Sequence, residues 1–202
     1  RIIRATNSQT SIPPASLRSS DDIHRNIEDF LKSNGYYYDR KKNFYKNQGM
    51  PVSKIISISY MAQAMMAIML LKPDSARARP STLINSDVEY RKIFSLDKPI
   101  DIYLKAIQIM KAVETFLKPE ICEVQLERKT ITNIKFYVAM MTTIKIAGSS
   151  QEMEKKLSEL PNVEVTNEIL SDSLNKVLEK FNELGATDQV AKGSALVANL
   201  LS

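Results

Sequence analysis

Residues 55–71, IISISYMAQAMMAIMLL, are the most apolar long segment of the chain. In a helix, these apolar side chains would point in nearly every direction, which is typical of a helix surrounded by the rest of the protein. Four of the nine methionines lie here, and their flexible side chains suit irregular gaps in a core. We predict a central helix that Ser53 caps and Pro73 terminates. Polar or hydroxyl-bearing residues at positions 57, 59, 60 and 63 interrupt the segment, so we predict no membrane span.

Amphipathic patterns on both sides of this segment predict further helices. Upstream, an apolar stripe of Ile23, Ile27, Phe30 and Leu31 predicts a helix over residues 21–33. Residues 36–45 are rich in aromatic side chains and predict a strand or one arm of a hairpin. Downstream, the predicted helices cover residues 87–94, 97–117, 128–147, 151–160, 166–184 and 188–201, and residues 74–86 are predicted to be a polar connection.

These elements predict a mainly α fold, an irregular multi-helix array with a small β element, a strand or hairpin, near the N-terminus. Five glycines in 202 residues fit helices better than a β-sandwich. Residues 1–52 are predicted to be a basic segment that continues a preceding region, and residues 53–202 a helical core. One continuous domain over residues 1–202 is the alternative.

The net charge of +5 is unevenly distributed. Residues 1–54 contain ten Lys or Arg and five Asp or Glu, whereas residues 55–202 contain eighteen of each. A confined positive excess predicts a surface that faces a polyanion. The alternative is a solvated face without a ligand.

The segment YYYDRKKNFYK, residues 36–46, interleaves five aromatic side chains with four basic ones. Basic groups neutralise phosphates, and ring faces stack on unpaired bases, each stacked base contributing roughly 1–3 kcal/mol. The candidate contacts to DNA or RNA in this segment are Tyr36, Tyr38, Arg40, Lys41, Lys42 and Lys46. The alternative is that Tyr37 and Phe44 pack inward while the other rings cover a sheet edge and the bases only solvate it.

The N-terminal residues 2–10, IIRATNSQT, change from an apolar run to four consecutive amide and hydroxyl side chains. Such a density of donors and acceptors suits the binding of a polar ligand or the fixing of a loop. We therefore add Arg4, Asn7, Gln9 and Thr10 to the candidate nucleic-acid contacts.

Asp39 and Lys41 match half of the metal site found in restriction-type nucleases, in which a carboxylate binds Mg²⁺ and a lysine steadies the attacking water. The second acid on an adjoining strand is not evident, since Glu28 and Asp29 fall on a predicted helix. An Mg²⁺-dependent nuclease is therefore a remote alternative.

Other chemistry finds little support. One Cys and one His cannot supply a three- or four-ligand Cys/His zinc site, and no motif indicates a cofactor or catalytic residues. His24 is predicted to be partly exposed or to cap a helix. The unpaired Cys122 is predicted to be a buried apolar residue, which fits a cytoplasmic protein.

The strand end IIRATNSQT, the segment YYYDRK and the stretch from LKP at 71–73 to YRKIF at 90–94 resemble the prokaryotic abortive-infection phage-resistance (AIPR) family. The resemblance covers chiefly residues 2–94. It implies a role in defence against phage, and longer relatives place a restriction-nuclease-like region before the part seen here. A chain that starts with Arg1 inside an apolar run is therefore expected to be the C-terminal part of a longer protein.

The function hypothesis is a helical companion domain of a phage-defence protein that contacts nucleic acid through the basic and aromatic surface near the N-terminus. The alternative is an interaction or oligomerisation module that senses a phage protein or another partner through the Met-rich or C-terminal helices.

Overall fold

The computed structural model describes residues 18–78, 80–122, 124–149 and 152–202, and in these ranges the chain is mostly helical. The predicted strand at the N-terminus lies outside them. The helices are α1 (Asp22–Ser33), α2 (Phe44–Asn47), α3 (Ile58–Ile68), α4 (Pro73–Ala78), α5 (Pro80–Asn85), α6 (Asp87–Ile93), α7 (Asp101–Phe116), α8 (Arg128–Ala147), α9 (Met153–Glu159), α10 (Asn167–Glu183) and α11 (Ser194–Leu201). The strands are β1 (Tyr37–Asp39) and β2 (Ile55–Ser57), and 3₁₀ turns cover Val52–Lys54 and Val190–Lys192. The predicted mainly α fold with a small β element is confirmed.

Strands β1 and β2 pair in parallel, so the β element is not a hairpin. Tyr37 pairs with Ile55, Tyr38 with Ile56 and Asp39 with Ser57. Parallel neighbours need a crossover, and residues 40–54 supply it through α2 and a 3₁₀ turn. Both carboxyl ends therefore meet at one edge, where α3 begins.

Helix α3 is the centre of the core, as predicted. Eight of its eleven residues are buried, among them Met61, Met65 and Met66. Alanines at positions 62, 64 and 67 are fully buried and let neighbouring helices approach closely. The helix packs against α4, α7 and α8. The methionines of α3 therefore belong to the core.

The boundaries of α3 differ from the prediction. Ile55 and Ile56 are β-branched and pair with β1, so the helix starts at Ile58, with the Oγ of Ser57 rather than of Ser53 as the N-cap. The helix ends at Ile68, before Leu71 adopts a left-handed conformation at φ +52°. Pro73 does not terminate α3; it opens α4, where its missing N–H costs nothing. Residues 74–86, predicted to be a polar connection, contain α4 and α5 instead.

The longer C-terminal helices match their predictions. Helix α8 spans Arg128–Ala147, as predicted, and Gly148 ends it at φ +79°. Helix α10 starts after Thr166, whose side chain caps Ile169 N–H, and it buries a stripe of Leu170, Leu174, Val177 and Phe181. Helix α8 packs on α10, α7 and α3. The hydrophobic core is continuous from Ile23 to Leu200.

Cys122 is buried, with 5% of its surface exposed, as predicted. Within the described ranges, no helix combines the length and the apolar character that crossing a bilayer requires.

His24 is completely buried, so the prediction of partial exposure is wrong. Its Nδ1 lies 2.9 Å from the hydroxyl of Tyr38, and its Nε2 lies 2.9 Å from that of Tyr90. Tyr90 donates its proton to Asp21 at 2.8 Å, so it must accept one from Nε2–H. Nδ1 then accepts from Tyr38, and a neutral imidazole satisfies every partner. This relay, Tyr38–His24–Tyr90–Asp21, joins β1, α1 and α6.

Lys105 on α7 is buried, with 5% of its surface exposed. Its ammonium donates to Asp101 at 2.7 Å and to the carbonyls of Leu157 at 2.5 Å and Ser158 at 2.8 Å. These carbonyls belong to the last turn of α9, and the carbonyl of Leu157 also accepts from the N–H of Leu160 at 3.3 Å. A single cation thus uses all three donors to fix the end of α9 to α7.

We expect the relay to make stability fall as the pH falls below about 6.5. Burial lowers the pKa of His24 to about 4, an effect larger than the opposing attraction of Asp21. Between about pH 7 and about pH 5, the imidazole of His24 binds a proton in the unfolded state but stays neutral in the folded state. The free energy of unfolding should therefore fall by about 2 kcal/mol over this range. Urea unfolding at several pH values measures this change. His24 is the only histidine, so a His24→Gln variant should lose this pH dependence; an equal slope in both proteins would contradict the assignment.

We expect Lys105→Met to lower the free energy of unfolding by roughly 2–4 kcal/mol, since the apolar stem is kept but the carbonyls of Leu157 and Ser158 and the carboxylate of Asp101 lose the bonds from the ammonium. Lys155→Met is the matched control. It removes an exposed lysine of α9 whose ion pair with Glu159 is 3.9 Å long, and it should cost at most about 0.5 kcal/mol. Urea unfolding of the two variants compares them, and similar losses would show that the buried contacts carry no special weight.

Candidate nucleic-acid interface

A cleft of about 580 Å³ opens at the carboxyl ends of β1 and β2. It is lined by Asp39, Arg40, Lys42, Asn43, Lys46, Val52, Ile55, Ser57, Ile58, Ser59 and Tyr60. Ligands of parallel sheets commonly bind outside the carboxyl ends of strands, because the following loops and helices converge there. The crossover 40–54 and the first turn of α3 supply the lining in this protein.

The lining combines two kinds of side chain. Val52, Ile55, Ile58 and Tyr60 are apolar or aromatic, and Val52 is 69% exposed. Arg40, Lys42 and Lys46 are basic. A ligand with both a flat apolar part and a negative charge would find a partner for each in this cleft.

The N-terminus of α3 contributes backbone donors. Ile58, Ser59 and Tyr60 form its first turn and line the cleft. The N–H of Tyr60 donates to the Oγ of Ser57 at 3.1 Å, while the first N–H groups of a helix have no intrahelical acceptor. The positive end of the helix dipole therefore adds to the charge of the basic side chains.

Lys42 and Lys46 are exposed and form no ion pair with any residue that the structure describes. Asn43, between Lys42 and α2, has φ +63°, a left-handed conformation that asparagine tolerates better than most residues. This turn sets the direction of α2, and it allows Lys42 and Lys46 to line the same cleft. Their charges are available to a ligand.

Arg40 differs, because its charge already has a partner. Its Nε donates to Glu28 on α1 at 2.5 Å, and its Nη1 donates to the carbonyl of Ser19 at 2.9 Å. The other oxygen of Glu28 accepts from the hydroxyl of Tyr45 at 2.8 Å. Burial, together with the bond to Glu28, raises the pKa of Tyr45 to about 12, so it stays protonated as the donor. Arg40 mainly fixes the crossover to α1.

Asp39 is 9% exposed, and its Oδ1 accepts from the backbone N–H of Tyr45 at 3.0 Å. Among the described residues, no group of three or more His, Cys, Asp or Glu side chains could hold a metal ion. The exposed Lys41 is not part of the cleft lining. The nuclease alternative therefore still lacks the second carboxylate that its chemistry needs.

The structure brings together Arg40, Lys42 and Lys46 of the predicted contacts. Tyr38 is wrong as a surface residue: it is completely buried, because the face of β1 opposite Asp39 covers the core. Tyr36 is half-buried under the ammonium of Lys54, 4.8 Å from the ring centre, and lies outside the lining. The predicted contacts Arg4, Asn7, Gln9 and Thr10 lie outside the described residues.

The burial of the aromatic side chains also differs from the alternative prediction that Tyr37 and Phe44 pack inward. Phe44 is 46% exposed and contacts Tyr45 edge-on, with 5.0 Å between ring centres. Tyr37 is half-buried, 5.3 Å from the same ring. The ring of Phe44, which lies between Lys42 and Lys46 in sequence, is therefore partly accessible to a ligand.

Part of the lining was not predicted from the sequence, namely Asn43, Val52, Ile55, Ser57, Ile58, Ser59 and Tyr60. The signal that could have found them is Ile55-Ile56-Ser57, a β-branched pair followed by a good N-cap residue. This pattern is typical of a short strand that leads directly into a helix.

Comparison with known proteins extends the resemblance noted for residues 2–94 to nearly the whole chain. A family model described as AIPR protein matches residues 1–190. No curated protein and no solved structure gives a significant match. The chain belongs to the AIPR family, the prokaryotic abortive-infection phage-resistance family, and its membership implies involvement in phage defence.

Proposed function

We propose that this AIPR chain contributes to phage defence as a helical companion domain that binds single-stranded nucleic acid in the cleft at the ends of β1 and β2. The observation that carries the proposal is the presence of Lys42 and Lys46, both without an acidic partner in the described residues, beside an apolar wall in one cleft.

The phosphate part of the ligand is matched by charge. Residues 36–60 contain five Lys or Arg and a single acid, Asp39. Lys42 and Lys46 are positioned to displace counterions from a phosphate chain, which is the main source of affinity for nucleic acids. The donors at the start of α3 add a backbone site for one phosphate oxygen.

The base part of the ligand is matched by shape and apolar surface. The volume of about 580 Å³ lies in the range of sites that hold a small organic ligand. Val52, Ile55 and Ile58 offer an apolar wall, and Phe44 offers a partly exposed ring nearby in sequence. A base must be unpaired to enter such a cleft, which favours single strands over a duplex.

The interaction-module alternative would use the Met-rich or the C-terminal helices. The methionines of α3 are buried, which disfavours the Met-rich helix as the contact surface. The exposed large apolar side chains include Val88, Leu96 and Leu201, which belong to separate parts of the fold. Self-association through the C-terminal helices stays a prediction, and light scattering of the purified chain would test it.

We expect the variant Lys42→Glu with Lys46→Glu to bind fluorescein-labelled single-stranded oligonucleotides at least tenfold more weakly than the wild type at low salt. Because two phosphate contacts are lost, the slope of log affinity against log salt should decrease in magnitude by about 1.4. Fluorescence anisotropy titration measures both quantities.

The control variant is Lys118→Glu with Lys176→Glu, which makes the same change of charge at two exposed lysines outside the cleft. It should retain most of the affinity. Equal losses in the two variants would indicate attraction to net charge alone, and an absence of binding by the wild type at low salt would reject the proposed function.

A further inference from the structure

Asp39 is the one acidic side chain among the described residues that line the cleft. It is nine-tenths buried and lies among basic neighbours, yet it forms no ion pair with a described residue. Its Oδ1 accepts from Tyr45 N–H, while its Oδ2 has no hydrogen-bond partner in the described part of the chain. This oxygen is not among the buried side-chain atoms of the described residues that lack a hydrogen-bond partner, so it is open to solvent in the cleft and can accept from a ligand.

The carboxylate is held in a fixed position. Asp39 is the last residue of β1 and pairs with Ser57 across the sheet. The bond from Tyr45 N–H orients the side chain, and the hydroxyl of Tyr45 is fixed in turn by Glu28, which also binds Arg40. An acceptor that is oriented in this way can discriminate between ligands that differ by one donor.

The chemistry of a nucleotide limits what Asp39 can contact. A carboxylate repels a phosphate oxygen, so it cannot serve the part of the ligand that Lys42 and Lys46 attract. It accepts from a hydroxyl or an amino group. In a nucleotide, the sugar lies between the phosphate and the base. Asp39 has a corresponding position in the cleft, since it adjoins both the basic crossover residues and the start of α3. Carboxylates at the ends of parallel strands commonly bind ribose hydroxyls in nucleotide sites.

We propose that Asp39 accepts a hydrogen bond from the 2′-hydroxyl of a bound ribonucleotide, so that the cleft prefers RNA to DNA. The inference rests on the proposed function, since it requires that the cleft binds a nucleic acid. Deoxyribose lacks this donor, and binding it would leave Oδ2 desolvated and unpaired beneath the ligand.

The test compares three single-stranded oligonucleotides of one sequence, RNA, DNA and 2′-O-methyl RNA, by anisotropy with the wild-type chain and Asp39→Asn. The wild type should bind RNA roughly tenfold more tightly than the other two. The methylated strand keeps the bases and phosphates of RNA but lacks the hydroxyl proton. The introduced asparagine keeps an acceptor for Tyr45 N–H, but its second group is an amide donor. In Asp39→Asn, the affinity for RNA should fall towards that for DNA, and DNA binding should be unchanged or stronger because a negative charge is removed.

The outcomes separate the two proposals. If the wild type binds none of the strands, the proposed function fails. If it binds all three equally, the cleft binds nucleic acid and the role of Asp39 is rejected. If Asp39→Asn still prefers RNA, the role of Asp39 is also rejected. The role is rejected as well if the variant loses affinity for RNA and DNA equally, a result that would indicate contact with a base amino group. If Asp39→Asn does not fold, as judged by circular dichroism, the comparison of RNA with 2′-O-methyl RNA in the wild type decides the point.

Discussion

The parallel pairing of Tyr37–Asp39 with Ile55–Ser57 is the interaction on which the rest of the N-terminal architecture depends. Two three-residue strands contribute few hydrogen bonds, but their direction forces residues 40–54 to cross back over the sheet. The crossover carries Lys42 and Lys46 to the same edge at which α3 starts. One short ladder therefore determines where the basic residues lie and which way the central helix of the core points.

Buried polar groups stabilise this small sheet where hydrophobic packing alone would define it poorly. The relay of Tyr38, His24 and Tyr90 fixes β1 to α1 and α6 with hydrogen bonds of 2.9 Å. The carboxylate of Glu28 accepts hydrogen bonds from both Arg40 and Tyr45 and so attaches the crossover to α1. In each case the donors and acceptors match, so burial does not leave these hydrogen-bonding groups unsatisfied.

Features that depend on local sequence could be predicted, whereas those that depend on distant partners could not. Helix α8 was predicted at its observed bounds because its length, its apolar content and Gly148 all lie within one segment. Residues 55–57 favour a helix by their apolar context and a strand by their β-branching, and only pairing with β1 decides between them. The same holds for the site. The sequence identified Arg40, Lys42 and Lys46 as basic, but it could not show that Glu28 neutralises the first, whereas the other two have no ion-pair partner in the described ranges.

The relay also has a consequence for the order of folding. His24 and Tyr90 are 66 residues apart in sequence, so their hydrogen bond closes a long loop whose entropy must be lost before the contact forms. Until α6 packs, His24 lacks its partner Tyr90, and the relay that attaches β1 to α6 is incomplete. We therefore expect the helices to form first and the pairing of β1 with β2 to form late. Pulsed hydrogen exchange during refolding would reveal this order as late protection of the backbone amides of Tyr38 and Ile56.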